Sequence, residues 1–147
     1  MNKETLQKFK GVFMDSITKI NPSTMKQPTK AYSNGILIPL GSAKLLFTTG
    51  QVAQDSEGKV IAPNDCAEQS RFILNHIGEI LNAAEMSFDD VVKLQIFITN
   101  MDESSKISAV RDEYFKNSKP ASTMVEINRL VKPECCVEIE ATAVKIT

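Results

Sequence analysis

Side chains that bind metal ions are scarce in this sequence. Its 147 residues contain a single histidine, His76, and three cysteines, Cys66, Cys135 and Cys136. Because adjacent residues of a strand point to opposite faces, Cys135 and Cys136 cannot chelate one ion together. A tetrahedral zinc site needs four ligands that converge. The sequence therefore predicts no metal site, and it has no glycine-rich phosphate loop that would indicate a nucleotide cofactor.

Paired cysteine spacing and long apolar runs are also missing. An odd number of cysteines without paired spacing argues against a disulfide framework, so we expect all three to be reduced. Reduced, structural cysteines suit a cytoplasmic protein. No run approaches the roughly 20 apolar residues that a membrane helix needs, and no membrane partner is expected.

An excess of basic residues is absent as well. Lys and Arg total 17, Asp and Glu total 18, and the formal net charge is -1. A nucleic-acid partner is not expected, because surfaces that bind nucleic acid carry a surplus of basic side chains. The apolar fraction of 42% and the charged fraction of 24% are typical of a globular domain. The length suits a single domain.

The chain opens with an amphipathic pattern. Apolar residues recur there at steps of three and four: Leu6, Phe9, Phe13 and Ile17. This spacing predicts a helix over residues 5–20, which Pro22 and Pro28 then interrupt. We therefore divide the chain into a helical extension, residues 1–20, and one α/β domain, residues 21–147.

The rest of the chain alternates between strand and helix patterns. Strands are predicted over 32–38, 44–53, 91–99, 123–130 and 135–146. Helices are predicted over 65–84, after the start signal Asn64-Asp65, and over 103–116. After the N-terminal helix the order is β-β-α-β-α-β-β, an α/β (α+β) arrangement in which two helices cover one face of a mixed sheet.

The two faces of the predicted sheet differ in character. Alternation in the central strand places Val92, Leu94, Ile96 and Ile98 on one face. The other face combines apolar and polar residues: Phe97, Val144 and Ile146 with Lys93, Gln95, Glu138 and Glu140. Such a face is too polar to be buried in a hydrophobic core and too apolar to be fully exposed to water. We expect a subunit interface with polar clefts.

Several segments together resemble the RidA/YjgF family, over about residues 20–146. They are Ala31–Gly35 (AYSNG), Phe47–Val52 (FTTGQV), Phe88–Lys93 (FDDVVK), Phe97–Met101 (FITNM), Pro120–Glu126 (PASTMVE) and Val137–Ala141 (VEIEA). The resemblance implies a chorismate-mutase-like fold and a homotrimer with a central barrel and small-molecule clefts between subunits. Active members hydrolyse imines and enamines such as 2-aminoacrylate without a cofactor. Other members are described as endoribonucleases or translation inhibitors.

The resemblance also implies roles for particular residues. Glu138 occupies the position of the cleft glutamate, a base that positions water against the imine carbon. Glu138 and Glu140 share a strand face, so each is expected to raise the pKa of the other. Tyr32 and Thr49 correspond to substrate-binding positions, and Gly50 permits a close approach of the backbone. The alternative is that both carboxylates face solvent or pair with lysines, and that Tyr32 and Thr49 only pack.

Ser122 marks a departure from the family. Deaminating members carry an arginine here that grips the substrate carboxylate with two parallel hydrogen bonds, which serine cannot do. A charged hydrogen bond contributes roughly 1.5–3 kcal/mol. Its loss should weaken the binding of substrates that carry a carboxylate about tenfold to a hundredfold or more. Ser122, Thr123 and Met124, which stands where the family has cysteine, are the remaining substrate-binding candidates. We expect Arg111 on a helix surface.

Three functions remain open at this point. The first is a cofactor-free hydrolase or deaminase of small imines or related metabolites, with altered or lost activity on 2-aminoacrylate. The second is a non-enzymatic trimer that binds a ligand or acts like a chaperone. The third, an endoribonuclease or translation inhibitor, is the weakest physically, because the chain has no basic stripe and a single histidine. We expect His76 to be a helix-surface or packing residue.

Overall fold

The computed structural model describes residues 17–146, and within them seven strands form one sheet. The strands are β1 (Thr18–Ile20), β2 (Gly35–Pro39), β3 (Ala43–Thr48), β4 (Gln51–Val52), β5 (Val91–Ile98), β6 (Ala121–Glu126) and β7 (Val137–Ile146). The helices are α1 (Cys66–Ala83) and α2 (Ser104–Tyr114), and short 3-10 turns lie at Phe88–Asp90 and Met101–Glu103.

The sheet is organised around β7. The strands lie in the order β1-β2-β3-β7-β5-β6, and β4 pairs with β7 beyond the end of β3. β5 and β6 are parallel, with α2 as their connection, and the other pairs are antiparallel. This is the predicted mixed sheet, with β1 added and the predicted strand 44–53 divided into β3 and β4.

Helix α1 begins and ends within one residue of the prediction. Asp65 caps it, because its Oδ1 accepts a hydrogen bond from the Glu68 amide at 3.1 Å. Its apolar residues recur at three- and four-residue steps and are buried against β7 and α2: Ile73, Leu74, Ile77, Ile80 and Leu81. Helix α2 buries Ile107 and Val110. Within residues 17–146, no helix combines the length and apolar character needed to cross a bilayer.

The two sheet faces differ as predicted. Under the helices lie buried residues of β5 and β7: Leu94, Ile96, Ile98, Val137, Ile139, Ala141 and Ala143. On the opposite face, which we call the outer face, Phe47, Val125 and Ile146 are 45%, 41% and 76% exposed. No helix of the described chain covers this outer face, so its apolar residues are available for contact with another molecule.

Two details of the strands correct the sequence prediction. Residues 18–20 form β1, paired with β2 at Thr18↔Leu37, and are not the end of a helix. Backbone pairing and burial of Ile20 outweigh the helical spacing there, and the rest of the predicted helix lies outside the described residues. In β5, a bulge between Val91 and Lys93 shifts the register. Val92 is therefore exposed and Val91 is buried.

The expectation that all cysteines are reduced is wrong. Cys66 at the start of α1 and Cys136 beside the start of β7 form a disulfide, with their Cα atoms 5.6 Å apart, while Cys135 is free and buried. The partners are 70 residues apart in sequence. Their pairing follows from the packing of α1 on β7, which cysteine spacing does not reveal.

Gln69 links the same two elements by hydrogen bonds. Its side chain is fully buried, and its Nε2 donates to the carbonyls of Ala62 at 3.0 Å and Glu134 at 2.8 Å. Its Oε1 accepts from the amide of Cys136 at 2.9 Å. One side chain therefore satisfies backbone groups of two loops that would otherwise lack partners.

We expect Gln69→Leu to lower the free energy of unfolding by roughly 2–4 kcal/mol, because each unsatisfied buried polar group costs about 1–3 kcal/mol. Chemical denaturation measures this change. Asn82→Leu on the exposed side of α1 is the matched control and should change the value little. Equal effects of the two substitutions would contradict the bridging role.

Candidate active site

Glu138 lies on the outer face of β7, where its cross-strand neighbours are Val52 of β4 and Phe97 of β5. The side chain is half-buried. Burial, and then the neighbouring charge of Glu140, raise the pKa of the Glu138 carboxyl above its usual range. Among residues 17–146 neither glutamate forms an ion pair with a lysine. A half-buried carboxylate with an elevated pKa is suited to accept a proton.

Gly50 fits directly against this carboxylate. A Cβ added at Gly50 would overlap the Glu138 carboxylate oxygen and would lie 2.8 Å from its Cδ. Any larger residue at position 50 would push the carboxylate away. The close approach expected at this glycine is therefore present, and its partner is the side chain of Glu138.

Tyr32 and Thr49 lie in a shallow depression that begins at Gly50. The depression has a volume of about 90 Å³, and Asn34, Gln51 and His76 also line it. This volume accommodates a few water molecules or a very small group. Tyr32 and Thr49 therefore share this depression with Gly50, whose other neighbour is the Glu138 carboxylate; Glu138 itself is not among the residues that line it.

The break between β3 and β4 gives the depression its shape. The Thr49 amide donates to the Asn34 carbonyl at 2.9 Å, and the Asn34 amide donates to Asn21 Oδ1 at 2.8 Å. Thr48 is buried, and its Oγ1 accepts from the Ala141 amide at 2.9 Å. The Thr48 hydroxyl thereby replaces a ladder bond where β3 leaves β7. Sequence reasoning predicted one continuous strand here and missed this role of Thr48.

His76 also reaches the depression, which the sequence did not indicate. It projects from α1, and burial lowers its pKa, an effect that the charge of Glu79 opposes. Its ring packs on Phe72, with ring centroids 4.3 Å apart. The expected packing role is therefore accompanied by a position at the edge of the candidate site.

Ser122 and Met124 lie on the opposite face of the sheet from Glu138. In the β5–β6 pairing they are level with Leu94 and Ile96, which face the helices, whereas Glu138 is level with Phe97 on the outer face. Thr123 points to the outer face, level with Gln95. Within one chain, therefore, only Thr123 of the three β6 candidates shares a face with Glu138.

Arg111 approaches Ser122 from helix α2. Its Nη1 lies 3.5 Å from Ser122 Oγ, while its Nε and Nη2 lie 2.9 and 2.8 Å from Asp112 Oδ1. The sequence placed Arg111 on a helix surface. The structure adds that its guanidinium extends to the start of β6.

No group of three or more His, Cys, Asp and Glu side chains that would hold a metal ion occurs within residues 17–146.

The profile of the endoribonuclease L-PSP family matches residues 23–145. The chain belongs to this family, the RidA/YjgF proteins. A RutC family protein of Pyrococcus horikoshii is 37% identical over 119 residues, 81% of this chain and 90% of that protein. The 2-iminobutanoate/2-iminopropanoate deaminase of Bos taurus is 32% identical over 134 residues, 90% of this chain and 94% of that protein.

The fold is also that of solved members of the family. The crystal structure of E. coli TdcF with bound serine aligns with a TM-score of 0.74 at 30% identity, over 87% of this chain and 98% of that chain. The predicted RidA/YjgF membership and chorismate-mutase-like fold are confirmed. The roles of the individual site residues stay predictions.

The elevated pKa of Glu138 has a consequence for stability. The folded state holds this proton more tightly than the unfolded state does, so stability falls as pH rises from the ordinary glutamate pKa through the raised one. We expect Glu138→Gln to raise the melting temperature at pH 7 and to have a smaller effect at pH 4. Glu57→Gln on an exposed turn is the control. A stabilisation as large at pH 4 as at pH 7 would show that ionisation of Glu138 is not its cause.

Proposed function

We propose that this protein is a cofactor-free hydrolase of the deaminase type, acting on small imines or enamines at clefts between the subunits of a homotrimer. The observation that carries the proposal is the half-buried Glu138, whose carboxylate has a raised pKa and abuts Gly50. The names of relatives support the reaction class, since one is a 2-iminobutanoate/2-iminopropanoate deaminase. We also expect a cytoplasmic location, although the disulfide removes one argument for it.

The chemistry assigned to Glu138 is general-base catalysis. The carboxylate takes a proton from a water molecule as the water oxygen attacks the imine carbon. Glu138 returns this proton to the imine nitrogen, which gives a neutral carbinolamine. The hydroxyl proton of the carbinolamine then passes to the nitrogen, the carbon–nitrogen bond breaks, and ammonia leaves as the carbonyl forms. The C=N bond and one water become C=O and ammonia, so no oxidant or reductant is required. We assign the hydroxyl groups of Tyr32 and Thr49, which line the depression at Gly50, to hold the water or the substrate.

The division of the site between two sheet faces supports a trimer. Ser122 and Met124 face the helices, and Glu138 lies on the outer face. A cleft between two subunits would combine Glu138 of one subunit with Ser122 and Met124 of another. The exposed Phe47, Val125 and Ile146 on the outer face provide apolar surface for such contacts.

Ser122 leads us to propose altered or lost deaminase activity on 2-aminoacrylate. The family resemblance implies an arginine at this position, and a hydroxyl cannot form the bidentate grip on a carboxylate. An imino acid without a bidentate anchor at position 122 samples more poses, and the advantage of proximity is reduced. We therefore expect weak deamination of 2-aminoacrylate by the natural sequence.

Two alternative functions differ in the support that the structure gives them. A trimer that binds a ligand without turnover is favoured by Ser122, since binding would persist where orientation is lost. RNA cleavage has less support, because Glu138 and Glu140 lie together on the outer face and would repel phosphates. Absence of ammonia release from every imine tested would favour the first alternative.

We expect Ser122→Arg to raise ammonia release from freshly generated 2-aminoacrylate at least about tenfold. Ser105→Arg, on the exposed surface of α2, is the matched control and should leave the rate unchanged. A natural-sequence rate equal to that of an arginine-bearing relative, and lost in Glu138→Ala, would refute the proposed role of position 122.

A mixing experiment tests the shared cleft. The double variant Ser122→Arg, Glu138→Ala should be inactive alone, because it lacks the base. When it is unfolded and reassembled with the natural chain, hybrid clefts combine Glu138 of one subunit with the arginine introduced at position 122 of another. We expect activity above the sum of the two separate preparations. No gain, or a sedimentation mass near that of one chain at micromolar concentration, would contradict the trimeric site.

A further inference from the structure

A second depression lies where α2 meets the start of β6. It has a volume of about 310 Å³, and it is lined by Arg111, Asp112, Phe115, Lys119, Pro120 and Ser122. Two of these residues are cations and one is an anion. The depression therefore combines a positive balance of charge with an apolar wall, which is the composition of a site for a small organic anion.

Asp112 fixes the orientation of the Arg111 guanidinium. It occupies the edge formed by Nε and Nη2, at 2.9 and 2.8 Å. The other edge, formed by Nη1 and Nη2, is turned toward Ser122, and the 3.5 Å between Nη1 and Ser122 Oγ is at the limit of a hydrogen bond. This edge still has donors for a planar acceptor, and a carboxylate matches two parallel N–H groups.

The surroundings make this arginine different from a solvated surface cation. The Arg111 side chain is 27% exposed, compared with 69% for Asp112. Lys119 is held in the left-handed backbone region, with φ of 44°, and its amide donates to the Phe115 carbonyl at 3.1 Å. That turn sets the backbone position of Lys119, the second cation of the depression, between the end of α2 and Pro120.

We propose that Arg111 is the carboxylate-binding residue of this protein, with Ser122 and Lys119 as its partners and Asp112 as a negative charge that weakens the site. This assignment rests on the proposed function, because the carboxylate that Arg111 would bind belongs to the imine or enamine substrate of that reaction. The anchor belongs to helix α2, whereas the family resemblance implies an anchor on strand β6 at position 122.

Asp112 explains why such a site would be weaker than one with a free arginine. Its carboxylate neutralises part of the guanidinium charge and repels an incoming carboxylate. Asparagine at position 112 would retain an oxygen acceptor for Nε and Nη2 and would remove the negative charge. The two neighbouring residues should therefore affect binding in opposite directions, which a merely structural pair would not do.

Binding of pyruvate, the product expected from 2-aminoacrylate, tests the assignment in the full-length protein without requiring turnover. Amide chemical shifts followed by NMR give the affinity, and pyruvamide, its neutral analogue, reports the contribution of the carboxylate. We expect Arg111→Gln to weaken pyruvate binding at least about tenfold and to leave pyruvamide binding unchanged. Asp112→Asn should tighten pyruvate binding severalfold.

Arg71→Gln is the matched control, since Arg71 is also held by a carboxylate, that of Glu113, but lies away from the depression. Equal pyruvate affinity in the natural chain, Arg111→Gln and Asp112→Asn, each with a native spectrum, would overturn the assignment. Weakening of pyruvate binding by Asp112→Asn would also overturn it. If binding depends on Arg111 but neither the natural chain nor Ser122→Arg releases ammonia, the proposed function fails and the anion site stands.

Discussion

Strand β7 has one face buried under α1 and an opposite, outer face, and the rest of this structure depends on that alternation. Val137, Ile139 and Ala141 are buried under α1, and the pleat then forces Glu138 and Glu140 to the outer face. A shift of register by one residue would bury both carboxylates and expose the core residues. The position of the candidate base is thus set by the hydrophobic burial of its neighbours.

Close packing beside β7 then shapes the environment of Glu138. β3 leaves β7 after Thr48, and β4 rejoins it only at Gln51. In the gap, Gly50 lies against the Glu138 carboxylate. This contact removes water from one side of the carboxylate, while Glu140 adds a like charge, and both effects favour the protonated form. The interruption of a strand and the elevated pKa of a carboxyl group are therefore parts of one local arrangement.

The two sides of the sheet supply different chemistry. The outer face carries the candidate base Glu138 and apolar residues that no helix within residues 17–146 covers, and the helix side carries Ser122 with the Arg111 guanidinium beside it. No single chain brings these groups together, so the proposed reaction links catalysis to assembly. If the helix-borne arginine holds the substrate, a change at one position of β6 has moved the anchor to another element while retaining the same ligand chemistry.

The sequence by itself determined the order of the five main strands and two helices, the boundaries of α1 and the sharing of one strand face by Glu138 and Glu140. These features are periodic and local, and the burial of every second or every third to fourth residue leaves a readable pattern. Its motifs also identified the family and located Tyr32, Thr49 and Gly50. Only the tertiary structure decided that Cys66 pairs with Cys136, that His76 reaches the depression and that Arg111 extends to Ser122. Each of these contacts depends on how α1 and α2 pack onto the sheet, and side-chain packing between separate elements leaves no periodic trace in the chain.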